Sequence, residues 1–229
     1  MKVNTDGVLL GAAATLSVED RRVLDAGTGT GTIAMMLAQR YSSMSVSDVE
    51  IKGIDIDEPS AAEAAINFAS CRWASFLQVE KCSLSDYEPS AELDLIVSNP
   101  PFFEASLLPP ESRRGLARHA AGEAMSSYDL IDFARTYLSE PGRLSLILPA
   151  DRERDVVRYS VSCGLHPFRI LRIRTTPKKN CSRIIVELSR NMNVELLEEA
   201  LTIQDVHHFP QNKNGYTPEY LDLTGEFYL

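Results

Sequence analysis

Arg22-Val23-Leu24-Asp25-Ala26-Gly27-Thr28-Gly29-Thr30-Gly31 is the stretch that decides the fold. Arg22-Val23-Leu24-Asp25 reads as a strand, and it enters a turn with glycine at 27, 29 and 31. Thr32 to Arg40 then carries helical spacing. A strand that turns sharply into a helix while its backbone approaches a ligand needs free φ and no side chain there, which glycine supplies. The helix start presents unpaired N–H groups that suit a carboxylate. Asp25, at the strand end, suits an ammonium group.

A dinucleotide fold is the rival reading of these glycines. Its fingerprint is GxGxxG, with Ala tolerated at the last place. Counted from Gly27 the last place is Thr32, which fails; counted from Gly29 it is Ala34, which fits. The glycines alone therefore leave the dinucleotide open. Asp25 argues against it, because a carboxylate before the turn would face a pyrophosphate unfavourably.

A second signal lies downstream at Asn99-Pro100-Pro101-Phe102. It follows Leu93-Asp94-Leu95-Ile96-Val97-Ser98, an apolar run that reads as a buried strand. Two prolines fix φ and remove two N–H donors, so the turn presents carbonyl acceptors. Asn99 adds a side-chain acceptor, and Phe102 adds a flat apolar face with Phe103 beside it. Acceptors next to a π-face suit a planar group bearing an NH₂, such as adenine. This turn has no role in hydride transfer, which counts further against the dinucleotide.

The remaining pattern alternates strand and helix. Leu9 to Leu16 reads as a short helix, Glu50 to Ile54 as a strand, and Pro59 to about Cys71 as a helix. Ser75 to Val79 and Gly142 to Leu148 read as strands, and Ser127 to Leu138 and Asp151 to Ser162 as helices. Pro167 to Arg174 and Ser182 to Leu188 read as a closing hairpin. The pattern predicts an α/β fold: a mostly parallel sheet with one antiparallel strand and helices on both faces. Open sheets of this kind bind ligands at the carboxyl ends of their strands. Asp55, with Ile56, stands at such an end, where a carboxylate accepts from ribose hydroxyls. Asp57 lies on the same side by alternation. Asp55 is favoured because Asp57 stands where a helix N-cap belongs.

The chain has 229 residues and 44% hydrophobic content, which suits a single domain over 1–229. The cysteines at 71, 82, 163 and 181 form no CxxC pair and read as thiols of a reducing cytoplasm, with no metal site. No apolar run reaches membrane length and no signal peptide is evident, so no membrane partner is expected. The net charge of −9 argues against non-specific grip on nucleic acid. Two basic runs interrupt it: Arg169, Arg172, Arg174, Lys178, Lys179 and Arg183, and Arg113, Arg114, Arg118 and His119. Each reads either as a solvated face or as a basic rim around a site.

The glycine turn together with Asn-Pro-Pro-Phe resembles the amino-methyltransferases that use S-adenosylmethionine. Three further stretches narrow the resemblance to the bacterial tRNA1(Val) adenine-37 N6-methyltransferase family. They are Met1-Lys2-Val3-Asn4-Thr5-Asp6-Gly7-Val8-Leu9-Leu10-Gly11, then Ala117-Arg118-His119 with Tyr128-Asp129-Leu130, and the ending Tyr216-Thr217-Pro218-Glu219-Tyr220 to Leu229.

This resemblance implies a Rossmann-like seven-stranded methyltransferase sheet and methyl transfer from S-adenosylmethionine to N6 of an adenine in a tRNA anticodon loop. It implies Asn99, Pro100, Pro101 and Phe102 as catalytic. It implies Lys2, Thr5, Asp6, Asp25, Gly27, Thr28, Gly29, Gly31, Asp55, Ile56, Ser83 and Asn99 around the cofactor. Related enzymes often carry aspartate where Ser83 stands. Phe102, Phe103, Arg113, Arg118, Lys178, Lys179 and Arg183 are the candidate tRNA contacts, and the enzyme is expected to be a cytoplasmic monomer. Family members begin earlier, with an aromatic-rich β segment absent from this sequence. An rRNA amino-methyltransferase, a protein glutamine methyltransferase and a catalytically silent cofactor-binding partner are the alternatives. The glutamine enzymes usually carry Tyr in place of Phe102 and a separate N-terminal helical domain.

Overall fold

A computed structural model describes residues 4–101, 125–208 and 213–227. Its strands are β1 (Arg22–Ala26), β2 (Glu50–Asp55), β3 (Leu77–Lys81), β4 (Leu93–Ser98), β5 (Leu138–Pro149), β6 (His166–Arg174), β7 (Arg183–Ser189) and β8 (Leu197–Thr202). Its helices are α1 (Thr5–Ala13), α2 (Thr32–Ser43), α3 (Glu58–Ser70), α4 (Ser127–Tyr137), α5 (Glu153–Ser162) and α6 (Pro218–Thr224). All strands form one sheet in the order β3-β2-β1-β4-β5-β7-β6-β8. β7 runs antiparallel to both β5 and β6, while the other pairings are parallel. The seven strands read from the sequence are present, and β8 is an eighth beside β6.

Burial on both faces explains the composition of the central strands. Successive residues point to opposite faces. Val23, Ile51 and Leu95 pack with Leu9, Ile33, Leu37 and Phe68 from α1, α2 and α3. Leu24, Ile54 and Ile96 pack with Leu130, Ile131 and Val156 from α4 and α5. β4 therefore reads as a continuous apolar run, as a doubly covered parallel strand should.

The element boundaries follow local chemistry. α1 starts at Thr5, ahead of the expected Leu9, because the Asn4 side chain accepts from Asp6 N and caps it. α3 is capped by Asp57, with a proline in its first turn. α4 opens with a capping box between Ser126 and Asp129. A short 3-10 turn, Ala74–Phe76, delays β3 to Leu77. β5 begins at Leu138, earlier than the expected Gly142, and its pairing to β4 shifts register between Leu93 and Leu95.

α1 is buried from Gly7 to Ala13. A buried helix leaves its last carbonyls without water, and here cations meet them. Arg40 donates to Gly11 O and Ala14 O at 2.9 and 2.8 Å, and Arg169 donates to Ala13 O at 2.7 Å. Arg169 also pairs at 2.8 Å with Glu187, which is fully buried and accepts from Thr15 N and Oγ1. Asp20, equally buried, accepts from Tyr41, Arg143 and Ser17 N. Such buried charges persist only when paired and hydrogen-bonded.

Removing Glu187 leaves Arg169 charged in a low-dielectric site. Glu187→Ala is expected to lower unfolding free energy by ~3–5 kcal/mol, as breaking other buried pairs does. Urea unfolding followed by circular dichroism measures it, and a change below ~1 kcal/mol would mean that the pair is solvated.

Candidate active site at the carboxyl edge of the sheet

Strand register assembles the site. Asp25 on β1 lies opposite Gly53 on β2 and opposite Val97 on β4. β1 then ends at Ala26, β2 at Asp55 and β4 at Ser98, so these adjacent strand ends form one row from which the glycine turn and the Asn99 turn depart. Asp55 in turn pairs with Lys81 at the end of β3. The Ser98 hydroxyl locks this row by donating to Ala26 O at 2.6 Å.

The glycine turn is held from several sides. Gly27, Gly29 and Gly31 have φ of 73°, 57° and 84°, the left-handed region that L side chains avoid. Gly27 N and Thr28 N both donate to Ile54 O at 2.9 Å, and Gly29 N donates to Asp55 Oδ2 at 2.8 Å. The Asn67 amide on α3 donates to Thr30 O at 2.9 Å. A Cβ on Gly31 would lie 2.3 Å from the Phe68 ring, so α3 closes against the turn there. A Cβ on Gly53 would meet Thr28 Oγ1 at 2.8 Å. Gly53, Asn67 and Ser98 are thus parts of the site that sequence reasoning passed over. Gly53 alone carried a signal, since a glycine inside a strand often marks a close approach.

Asp25 pins the turn from below. Its Oδ2 accepts from Thr28 Oγ1 at 2.7 Å and from Ala34 N at 3.2 Å. Its Oδ1 is buried with no hydrogen-bond partner among the described residues. Burial raises the carboxyl from 3.8 to about 7, against the lowering effect of the Thr28 and Ala34 donors.

The two candidate ribose carboxylates separate cleanly. Asp57 accepts from Ser60 N at 3.0 Å and Ser60 Oγ at 2.7 Å, and these donors lower its pKa. It is the cap of α3. Asp55 is half-buried and turned toward the glycine turn, with Oδ1 accepting from Asp57 N at 2.9 Å. Ile56 is exposed beside it. Ser83 bonds Asp86 Oδ2 at 2.7 Å and Ser85 Oγ at 2.8 Å in the turn after β3.

Asn99 is half-buried and its amide bonds no described residue; Pro100 is buried and Pro101 half-buried. Thr5 and Asp6 form the first turn of α1, which runs alongside α2 from the same edge. Lys2, Phe102, Phe103, Arg113, Arg114, Arg118 and His119 lie outside the described residues. A polar cavity lined by Arg22, Glu50, Lys52, Glu80 and Tyr87 lies toward the amino ends of β1 and β2, away from this row.

The basic run at 169–183 divides: its arginines are engaged with other side chains of the fold. Arg169 pairs with Glu187 and Glu199, and Arg172 with Glu153 and Glu198. Arg174 donates to Thr202 Oγ1 at 2.7 Å, and Arg183 pairs with Asp6 at 2.9 Å. These four hold secondary-structure elements together. Lys178 and Lys179 are exposed on the β6–β7 turn, at the same carboxyl edge as Asn99.

The donor and acceptor set fits the zwitterion of an amino-acid cofactor. Asp25 Oδ1 is an open acceptor for an ammonium group. The α2 N-terminus, whose cap Gly31 supplies no side-chain bond, offers N–H donors to a carboxylate. The chain also superposes on a crystal structure of a predicted O-methyltransferase from Agrobacterium tumefaciens, with TM-score 0.70, 19% identity, and 96% of each chain covered. A putative class I S-adenosylmethionine-dependent methyltransferase from Listeria monocytogenes gives 0.58 at 16% identity, covering 86% of this chain and 62% of that one. The fold is that of these methyltransferase structures.

The family model for the methyltransferase small domain matches residues 7–154. Curated tRNA1(Val) (adenine(37)-N6)-methyltransferases are similar over the whole chain. Those of Flavobacterium johnsoniae and Trichodesmium erythraeum are each 38% identical, covering 100% of this chain and 93% and 91% of the relatives. That of Actinobacillus pleuropneumoniae is 39% identical, covering 100% of this chain and 91% of the relative. The chain belongs to the tRNA1(Val) (adenine(37)-N6)-methyltransferase family.

The buried Asp25 carboxyl has a pH signature. Folded protein holds this proton up to about pH 7, whereas the unfolded chain releases it near 3.8. Between those values the unfolded state binds fewer protons, so stability falls as pH rises, and the effect levels off above the folded pKa. Asp25→Asn lacks this titration. Urea unfolding of the cofactor-free proteins is expected to show the variant gaining on the parent from pH 4 to pH 7. A constant difference across that window would mean that Asp25 is ionised in the fold.

Proposed function

We propose that the protein transfers a methyl group from S-adenosylmethionine to N6 of adenine 37 in tRNA1(Val), and that it does so in the cytoplasm. The observation that supports this reading is the parallel pairing of β1 with β4, from which the glycine turn and the Asn99 turn leave adjacent strands at one edge. The full-length relatives named for that reaction support the choice of substrate.

When bound, the cofactor supplies an electrophilic methyl on a sulfonium. In this reading Asp25 Oδ1 accepts from its ammonium group, the N-terminus of α2 faces its carboxylate, and Asp55 accepts from ribose hydroxyls. Asn99 Oδ1 and the Pro100 carbonyl accept from the two N–H groups of the adenine amine. Those bonds draw the nitrogen from planar toward tetrahedral geometry and aim its lone pair at the methyl. The nitrogen–carbon bond forms as the carbon–sulfur bond breaks, and the N6 cation sheds its proton to water. No general base is needed before transfer, so orientation supplies most of the rate. Phe102, next in the chain, offers a face for the base, worth ~1–3 kcal/mol in comparable stacks. A base in an anticodon loop can be presented to these acceptors because unstacking it there costs little.

Methyl transfer to unmodified tRNA, followed by digestion and nucleoside mass spectrometry, tests the reading. N6-methyladenine just 3′ of the anticodon is the expected product. Label in rRNA, in another base or in a glutamine side chain would overturn it. In the same assay Asn99→Ala is expected to lose ~10²-fold or more in transfer, the scale of losing one positioned hydrogen-bonding group. Its affinity for S-adenosylhomocysteine is expected to stay near the parent's.

Lys178 and Lys179 are exposed cations on the β6–β7 turn at this edge. Replacing both with Glu is expected to weaken tRNA binding by ~10-fold at low salt and to flatten its salt dependence. Filter binding at two salt concentrations measures it. Superimposable curves for parent and variant would make the turn an ordinary solvated surface.

A further inference from the structure

The first turn of α1 is held at the mouth of the site from two sides. On one side Gly7 packs on Ile33, the second residue of α2, where a Cβ on Gly7 would sit 3.7 Å from Ile33 Cγ1. Ile33 is two residues beyond Gly31, so this contact joins α1 to the end of the glycine turn. On the other side Asp6 Oδ2 accepts from Arg183 Nε at 2.9 Å. The Asp6 side chain is only 14% exposed and that of Arg183 is 34% exposed, so the pair is partly withdrawn from water. Arg183 opens β7 opposite Pro149, the last residue of β5. It therefore sits at the carboxyl edge, and its guanidinium spans from the sheet to α1.

Elsewhere α1 is apolar and buried, and Asp6 is its one ionised side chain. Its far end is fixed by Arg40 and Arg169 on the terminal carbonyls. Among the described residues its near end is held by the Asp6 pair, by the Gly7–Ile33 packing and by Val8 packed with Met36, Leu223 and Phe227. Thr5 and the Asn4 cap are exposed, and a helix end frays when a tie to the rest of the fold is lost.

We infer that Arg183 is a positioning residue for cofactor binding: through Asp6 it holds the first turn of α1 against the start of α2, and so shapes the cofactor side of the crevice. This inference rests on the proposed placement of the cofactor at the glycine turn. It assigns Arg183 to the cofactor side of the reaction and not to the RNA.

The test is a double-mutant cycle on the full chain with Arg183→Gln, Asp6→Asn and both together. S-adenosylhomocysteine affinity is read by calorimetry, tRNA affinity by filter binding, and KM and kcat by methyl transfer. Arg183→Gln is expected to raise the S-adenosylhomocysteine Kd by ~10-fold, with the KM for the methyl donor rising in step. The kcat at saturating donor and the tRNA Kd are expected to stay within about 2-fold of the parent. On the Asp6→Asn background the same substitution is expected to add little. Arg183→Lys, which keeps a cation near Asp6, is expected to recover part of the loss, and it replaces Gln in the cycle if that variant does not fold. A cofactor Kd unchanged in Arg183→Gln, a loss confined to tRNA, or full additivity with Asp6→Asn would each overturn the inference. Gly29→Val separates the two readings: with φ of 57° and a branched side chain at the turn, it should abolish cofactor binding. If it binds as the parent does, the cofactor placement itself is wrong. If it fails to bind while Arg183→Gln binds normally, only the role of Arg183 falls.

Discussion

The parallel pairing of β1 with β2 and β4 is the constraint on which the site depends. The glycine turn after β1 and the Asn99 turn after β4 are far apart in the chain and leave one edge side by side because Asp25 lies opposite Val97. A slip of one residue would turn every side chain of a strand to the other face. Asp25 would leave the glycine turn, and the two turns would lose their alignment. Both faces of these strands are buried, so a slip would bring Lys52 or Asp94 into an apolar layer. The Ser98 hydroxyl on Ala26 O adds a register-specific lock at the last residue of β4. Catalytic geometry and hydrophobic sorting are in this sense one requirement.

The glycine turn carries a cost in stability that core packing offsets. Asp25 is wholly buried, with an oxygen lacking any bond to a described residue, a state that costs free energy unless the group is neutral or finds a donor. Perturbed carboxyls of this kind are concentrated at sites that handle ligands. The neighbouring Asp55 is satisfied, yet by exchangeable bonds. Its two oxygens hold Gly29 N and Asp57 N, and a carboxylate has lone pairs left for further donors. One acid pins the turn from inside the fold while the other braces it from the open side.

Much of this was legible in the sequence, and what was missed shares a physical cause. The glycine turn and the Asn-Pro-Pro turn are backbone signals, where residue type dictates local geometry whatever the surroundings. The choice of Asp57 as a helix cap was readable for the same reason. β8 was not, because Leu197-Glu198-Glu199-Ala200-Leu201-Thr202 has weak strand propensity and no clean alternation. Its state is set by pairing to β6, with Arg169 and Arg172 reaching Glu199 and Glu198 across the ladder. The partners of the arginine run were not legible for a related reason. A list of cations does not show which carboxylates fold against them. One clue was present: Glu187 stands inside Ile184-Ile185-Val186-Glu187-Leu188, and an acid in a buried strand requires a cation.

That accounting changes how an acidic protein is to be understood at an RNA substrate. With Arg169, Arg172, Arg174 and Arg183 engaged internally, the described surface near the site keeps few cations, and the net charge of −9 opposes approach from a distance. Long-range steering is therefore weak, and what attraction exists is local and screened within about 10 Å at ordinary salt. Discrimination must then come at contact, from acceptors that fit an NH₂ and from a surface that fits an unstacked base. A duplex offers neither, whereas a loop offers both at small cost. On this argument the internal use of arginine is consistent with the reaction, since a protein that reads one splayed base gains little from gripping every phosphate.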